Sequence, residues 1–195
     1  MRVKNSKDYF NTPFEISPLD LAVIFDDLNI GFRRQMQISN DIWEEHKWVI
    51  PSKYRKSNKK KQFIEDVLYQ VDYLYHGDDI NNSLDAICKD VSDSGLVIDS
   101  SKLIEDYAGI SKFFKTIWIQ LNYVNTNGYV RTKVRTLLKN YHYKKRSEKF
   151  CSYVNECLYF YKLQPTSHGE ECDISTVAID NMITFKLLPR RKRRS

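Results

Sequence analysis

Three apolar stripes at helical spacing and one alternating stretch, in a definite order between Phe114 and Leu187, limit what this chain can fold into more than any other feature. Phe114, Ile117, Trp118 and Leu121 recur at three- and four-residue steps, which places them on one buried helix face. Ser111 can cap that helix, and Asn125-Thr126-Asn127-Gly128 supplies a turn after it. Val134, Leu137, Leu138 and Tyr141 mark a second helix. Phe150, Val154, Cys157, Leu158 and Tyr161 mark a third, opened by Ser147 and closed by Pro165. Residues 176–179 and 182–187 then alternate around Asp180-Asn181, a dipeptide that tolerates the positive φ of a tight hairpin. The expected order is helix, short extended turn, helix, helix, hairpin.

Upstream, Ser17-Pro18-Leu19-Asp20 reads as a helix start, with Ser17 as cap, Pro18 at the first helical position and Asp20 at the positive end of the dipole. That helix should run to about Leu28 and break at Asn29-Ile30-Gly31. A second segment near residues 41–49 carries Ile42, Trp43 and Trp48 up to Pro51. Residues 53–61 hold no apolar side chain except Tyr54, and so read as a solvated loop and an internal boundary. Ile64, Leu68, Val71 and Tyr75 predict one amphipathic helix. Ile80, Leu84, Ile87, Cys88 and Val91 predict another, capped by Asp79 and stopped by Gly95. After an extended piece at Leu96-Val97-Ile98, a helix starts at Asp99 or Ser100 and ends at Gly109. The fold class is predominantly α (α+β), with about seven helices and a C-terminal hairpin. The expected parts are a helical segment with its basic loop over 1–61, a main helical domain over 62–188 whose last unit begins near 110, and a disordered basic tail over 189–195.

No apolar run approaches the roughly 18 residues of a spanning helix, and residues 1–7 lead into no signal-like stretch, so no membrane association is expected. The expected location is the cytoplasm, or the nucleus in a eukaryote or its virus, where Arg190-Arg191-Lys192-Arg193-Arg194 matches an import signal. In a bacterium or phage the same tail would be a phosphate-binding arm. Four cysteines without a secretory signal are read as reduced thiols.

The net charge of +6 conceals a segregation. Residues 62–106 carry eleven acids against Lys89 and Lys102, a formal -9, whereas residues 107–149 carry ten bases against Glu148, a formal +9. Further bases cluster at 53–61. The element order resembles that of a winged helix, in which the helix before the hairpin lies in a nucleic-acid groove and the hairpin touches the backbone. Here that helix would span about 147–163, and seven of the thirteen tyrosines fall between Tyr123 and Tyr161. Basic residues interleaved with aromatics suit phosphate contact plus stacking. The expected function is non-catalytic nucleic-acid binding, DNA ahead of RNA, with Arg131, Lys133, Arg135, Lys139, Lys144, Lys145, Arg146 and Lys149 on phosphates. The alternative is a protein-interaction subunit, docking its acidic and basic faces onto a partner or a second copy.

Two further patterns bear on catalysis and metal binding. Arg135 and His142 lie seven apart on one expected helix, and the spacing resembles the R-x4-6-H element of HEPN ribonucleases, which cleave RNA with such a pair in a dimer. The resemblance covers two residues, and Thr136 stands where those enzymes often have an amide-bearing or basic residue. Cys151, Cys157, His168 and Cys172 supply four zinc-type ligands in the order C-x5-C-x10-H-x3-C. Positions six apart on a helix diverge by about 240°, which sets Cys151 and Cys157 on different sides. No cofactor is therefore expected. No phosphate-binding glycine loop, nucleophile elbow or zinc-protease motif occurs, which leaves no reaction indicated.

Overall fold

A computed structural model describes residues 14–76, 100–140 and 145–189. These belong to two units that divide between Tyr107 and Ala108.

In the first unit, helix α1 (Pro18–Asp27) begins with a reciprocal capping box. The Ser17 hydroxyl accepts from the Asp20 amide at 3.1 Å, and the Asp20 carboxylate accepts from the Ser17 amide at 2.8 Å. Asn29, at φ 50°, turns the chain after α1. Helix α2 (Phe32–Glu45) then starts nine residues earlier than the position 41 expected from its apolar residues. The reason is a buried polar stripe. Gln35 and Ser39 occupy the inward face beside Ile38 and Ile42, with the Gln35 amide nitrogen donating to the Ile30 carbonyl at 2.6 Å and Ser39 Oγ to the Gln35 carbonyl at 2.8 Å. A hydrophobic period cannot register such positions.

Two short 3-10 turns, Ser52–Tyr54 and Ser57–Lys59, lead into helix α3 (Lys60–His76), which packs chiefly on α1 and also on α2. Among its described side chains Phe63 and Val67 are fully buried, whereas Ile64, Leu68 and Val71 are half-buried. The stripe expected for α3 therefore flanks the buried line and does not coincide with it. Helices α1 and α2 pack on α3, and residues 53–61 lie inside this unit. The helix expected over 80–91 and the extended piece at 96–98 lie outside the described residues.

Helix α4 (Ser100–Ile119) passes straight through Gly109 and Ser111, the expected stop and cap. A single interior glycine costs only about 1 kcal/mol relative to alanine. The continuous apolar face of Ile110, Phe114, Ile117 and Trp118, all buried, outweighs that cost at about 1.5–3 kcal/mol per buried large side chain. A π-helical turn, Gln120–Val124, extends α4 to the turn at 125–128, where the Asn127 amide donates to Asn125 Oδ1 at 2.8 Å and Gly128 adopts φ 70°.

Strand β1 (Val130–Lys133), helix α5 (Val134–Asn140), helix α6 (Glu148–Phe160) and strands β2 (Leu163–Ser167), β3 (Glu170–Glu171) and β4 (Met182–Leu187) complete the second unit. Ser147 caps α6 as expected, its hydroxyl accepting from the Phe150 amide at 3.2 Å. The strands form an antiparallel sheet in the order β1-β4-β2-β3, so the protein is a mixed α+β fold, mainly helical.

The sheet corrects the expected hairpin. Residues 176–179 are not a strand, and β4 lies between β1 and β2, with Val130 opposite Phe185 on one side and Leu163 opposite Leu187 on the other. Pro165 sits within β2 opposite Phe185 instead of closing α6, which ends at Phe160 with Lys162 at φ 54°. The proline is tolerated because its carbonyl faces β3, accepting from the Cys172 amide at 3.1 Å, so its missing N–H takes nothing from the β4 ladder. Ile183 and Phe185 point inward, and Phe185 meets Phe114 edge-on with ring centroids 5.8 Å apart.

Candidate functional site

Seven of the eight basic residues singled out in the sequence fall into three groups with different capacities. Arg131 and Lys133, two apart on β1, share its outer face and stand opposite Thr184 and Met182 of β4. Both are exposed, and the Arg131 guanidinium lies 4.5 Å from the centre of the Tyr129 ring. Lys186 projects from the same sheet face, since its β4 neighbours Ile183 and Phe185 alternate inward.

Two arginines are committed internally. Arg135 forms a bidentate pair with Asp180, Nε to Oδ1 at 2.5 Å and Nη2 to Oδ2 at 2.8 Å, which holds the Asp180 carboxyl below its ordinary range. The expected hairpin tip is thus an anchoring point for the start of α5. Arg146 Nη1 donates to the carbonyls of Ile174, at 3.0 Å, and Val177, tying the residue before the α6 cap to the segment between β3 and β4. Lys139, Lys145 and Lys149 form the third group, exposed at the end of α5 and around the start of α6. Lys144 and His142 lie outside the described residues.

What sequence reasoning missed is the outward face of α6. Its inward positions, Phe150, Cys151, Val154, Cys157 and Leu158, leave Glu148, Lys149, Ser152, Asn155 and Tyr159 exposed along one side. Tyr159 is 89% exposed, more than any other large hydrophobic residue among those described. The signal was present as the complement of the apolar stripe: residues 152, 155 and 159 are spaced by three and four.

The loop between β2 and β4 does not have the sign a phosphate contact needs. Glu170, Glu171 and Asp173 are all exposed there, and the Ser175 amide, donating at 2.7 Å, keeps Asp173 ionised below the usual range. Between this loop and the second half of α6 lies a cleft of about 580 Å³, lined by Leu158, Tyr159, Phe160, Leu163 and Leu188, with Glu171, Asp173 and Lys162 as its charged lining.

Cys151 and Cys157 sit on the buried side of α6, where burial pushes both thiols above their ordinary range; burial and then the neighbouring Asp173 and Glu171 do the same to Cys172. Among the described residues no three His, Cys, Asp or Glu side chains converge as metal ligands. None of the described helices is long and apolar enough to cross a membrane.

Charge divides by unit. Residues 108–195 hold 17 Lys and Arg against 6 Asp and Glu, a formal +11, whereas residues 1–107 carry -5. No protein-family model, curated protein or solved structure matches the chain.

Proposed function

We propose that the C-terminal unit is a winged-helix-like, non-catalytic nucleic-acid-binding module, DNA ahead of RNA, with α6 as the helix that enters the groove. The observation that carries this reading is the exposed face of α6: Lys149, Ser152, Asn155 and Tyr159 offer an ammonium, a hydroxyl, an amide and a phenol along one side of a helix on a strongly basic unit. Amide and hydroxyl groups in that arrangement suit base edges, and the flanking lysines suit phosphates. The element order helix, strand, helix, helix, strand, strand and the sheet order β1-β4-β2 support this reading, with β3 taken as an addition at the edge. Phosphate contacts are assigned to Arg131, Lys133, Lys139, Lys145 and Lys149, and to Lys144 from its place in the basic run 144–146. Arg135 and Arg146 support the scaffold, and the acidic β2–β4 loop stays clear of the backbone.

Fluorescence anisotropy with a labelled duplex at several salt concentrations tests this. The observed affinity should fall steeply with salt. Replacing Ser152, Asn155 and Tyr159 together with alanine should weaken binding at least about 100-fold at fixed salt while leaving the salt slope unchanged, since base contacts are worth about 1–3 kcal/mol each. Absence of duplex and single-strand binding by the intact chain defeats the proposal.

The apolar cleft with its charged lining favours the second reading, a protein-interaction subunit. It calls for association with a protein partner or second copy that weakens when Glu171 and Asp173 are neutralised, with no salt-dependent duplex binding.

A further inference from the structure

Residues 53–61, which the sequence presents as a solvated basic loop, are pinned in the structure. Tyr54 is 2% exposed; its hydroxyl donates to Asp66 at 2.5 Å, its carbonyl accepts from Trp43 Nε1 at 2.9 Å, and its ring meets Phe63 at 5.3 Å between centroids. Arg55 fastens the next residue, donating to the Ile50 carbonyl at 2.8 Å, to Glu15 at 2.5 Å and to the Trp48 carbonyl at 3.2 Å. The two linked rings collect ammonium groups from three elements. Lys47 Nζ stands 3.5 Å and Lys60 Nζ 5.7 Å from the Trp43 ring centre, and Lys53 Nζ stands 4.8 Å from that of Tyr54.

Local carboxylates cancel only part of this charge. Glu15 pairs with Arg55, Glu44 with Lys60 and Glu65 with Lys61, while Asp66 accepts from Tyr54. Lys47, which also acts on Glu44, and Lys53, Lys56 and Lys59 outnumber the remaining local carboxylates, Glu45 and Asp66, the latter keeping its charge as it accepts from the neutral Tyr54; Lys59 donates to the neutral Gln62 at 2.8 Å. Each ammonium of such a surface that meets a phosphate releases a cation condensed on the nucleic acid, a gain open to it even on a unit whose net charge is -5. Because Tyr54 and Arg55 already order the backbone, little conformational entropy is lost when that exchange occurs.

We infer that Lys47, Lys53, Lys56 and Lys59 form a second phosphate-contact surface, on the N-terminal unit, for the sugar-phosphate backbone of a nucleic acid. Ammonium groups without a fixed fork suit such contacts, which position the chain without reading sequence. The inference rests on the reading of the protein as a nucleic-acid binder, and it adds a site that the C-terminal unit does not supply.

The test uses the full chain with Lys53, Lys56 and Lys59 replaced by glutamine, its fold checked by circular dichroism and thermal melting against the wild type. In duplex titrations the plot of log affinity against log salt should become shallower by about 2.7, at about 0.9 for each of the three phosphates that the variant no longer neutralises. A slope and affinity equal to those of the wild type overturn the inference and leave the role of α6 standing. If the wild-type chain binds no nucleic acid, the proposed function fails by itself, and retention on immobilised inorganic polyphosphate then judges the surface. Elution of the variant at clearly lower salt supports it, and elution at the wild-type salt overturns it.

Discussion

Replacing Arg146 with alanine removes a guanidinium nitrogen that donates to two backbone carbonyls, Ile174 and Val177, from a half-buried position. Hydrogen bonds to charged groups contribute about 1.5–3 kcal/mol when buried; partial exposure brings each to about 1 kcal/mol here, for a total near 2 kcal/mol. In a unit of this size 2 kcal/mol corresponds to a fall in melting temperature of about 8–15 °C. Lys145, one residue earlier, is exposed and sits before the α6 cap, so Lys145→Ala should change the melting temperature by less than about 2 °C. The two variants should separate in the binding assay as well. Lys145→Ala should make the salt dependence shallower by about 0.9, whereas Arg146→Ala, measured well below its melting temperature, should leave the slope unaltered. Arg146→Lys should recover part of the forfeited stability, because its ammonium can also donate to two carbonyls but sits on a shorter, more flexible stem. Differential scanning calorimetry and duplex titration on the three variants decide the matter. An Arg146→Ala protein that melts with the wild type and shows the shallower slope would refute the reasoning, because Arg146 would then be a phosphate ligand and not a fastener.

Other outcomes follow from the same geometry. Ser17→Ala removes the hydroxyl half of the α1 capping box, leaving the backbone amide at position 17 to donate to Asp20, and should cost about 1 kcal/mol in urea unfolding, with Ser17→Asn retaining most of it. Neutralising Glu170, Glu171 and Asp173 as amides should tighten duplex binding a few-fold at low salt, and the gain should vanish at about 0.3 M salt, where screening shortens the reach of their field. Tyr54 is pushed above the ordinary tyrosine range by burial and then by its bond to Asp66, so its contribution to stability is fully present below about pH 10 and is lost as pH rises further, through the folded-state value. Stability measured by denaturant from pH 8 upward should therefore decline less steeply in Tyr54→Phe than in the wild type; parallel declines would show that Tyr54 ionises as it does in the unfolded chain.

The sequence by itself determined the features whose causes lie within four or five residues. Ser17 and Ser147 cap their helices because a hydroxyl reaches an amide three positions on, and the turn at 125–128 follows from an Asn side chain and a glycine. The buried faces of α4 and α6 were equally legible, since a run of large apolar residues at helical spacing has one place to go. Tertiary structure decided the rest. Strand β4 could have paired with residues 176–179 next to it, but Ile183 and Phe185 reach the core only when β4 lies between β1, about fifty residues earlier, and β2. Gln35 and Ser39 became core residues as local backbone carbonyls accept from the Gln35 amide nitrogen and the Ser39 hydroxyl, which no polarity pattern can announce. Charge was legible as an amount, while its availability was not. Arg135 and Arg146 look like Lys139 and Lys145 in the sequence, yet folding brings Asp180 and the carbonyls of Ile174 and Val177 to the arginines, because a planar guanidinium can satisfy several acceptors at once where a lysine remains in solvent.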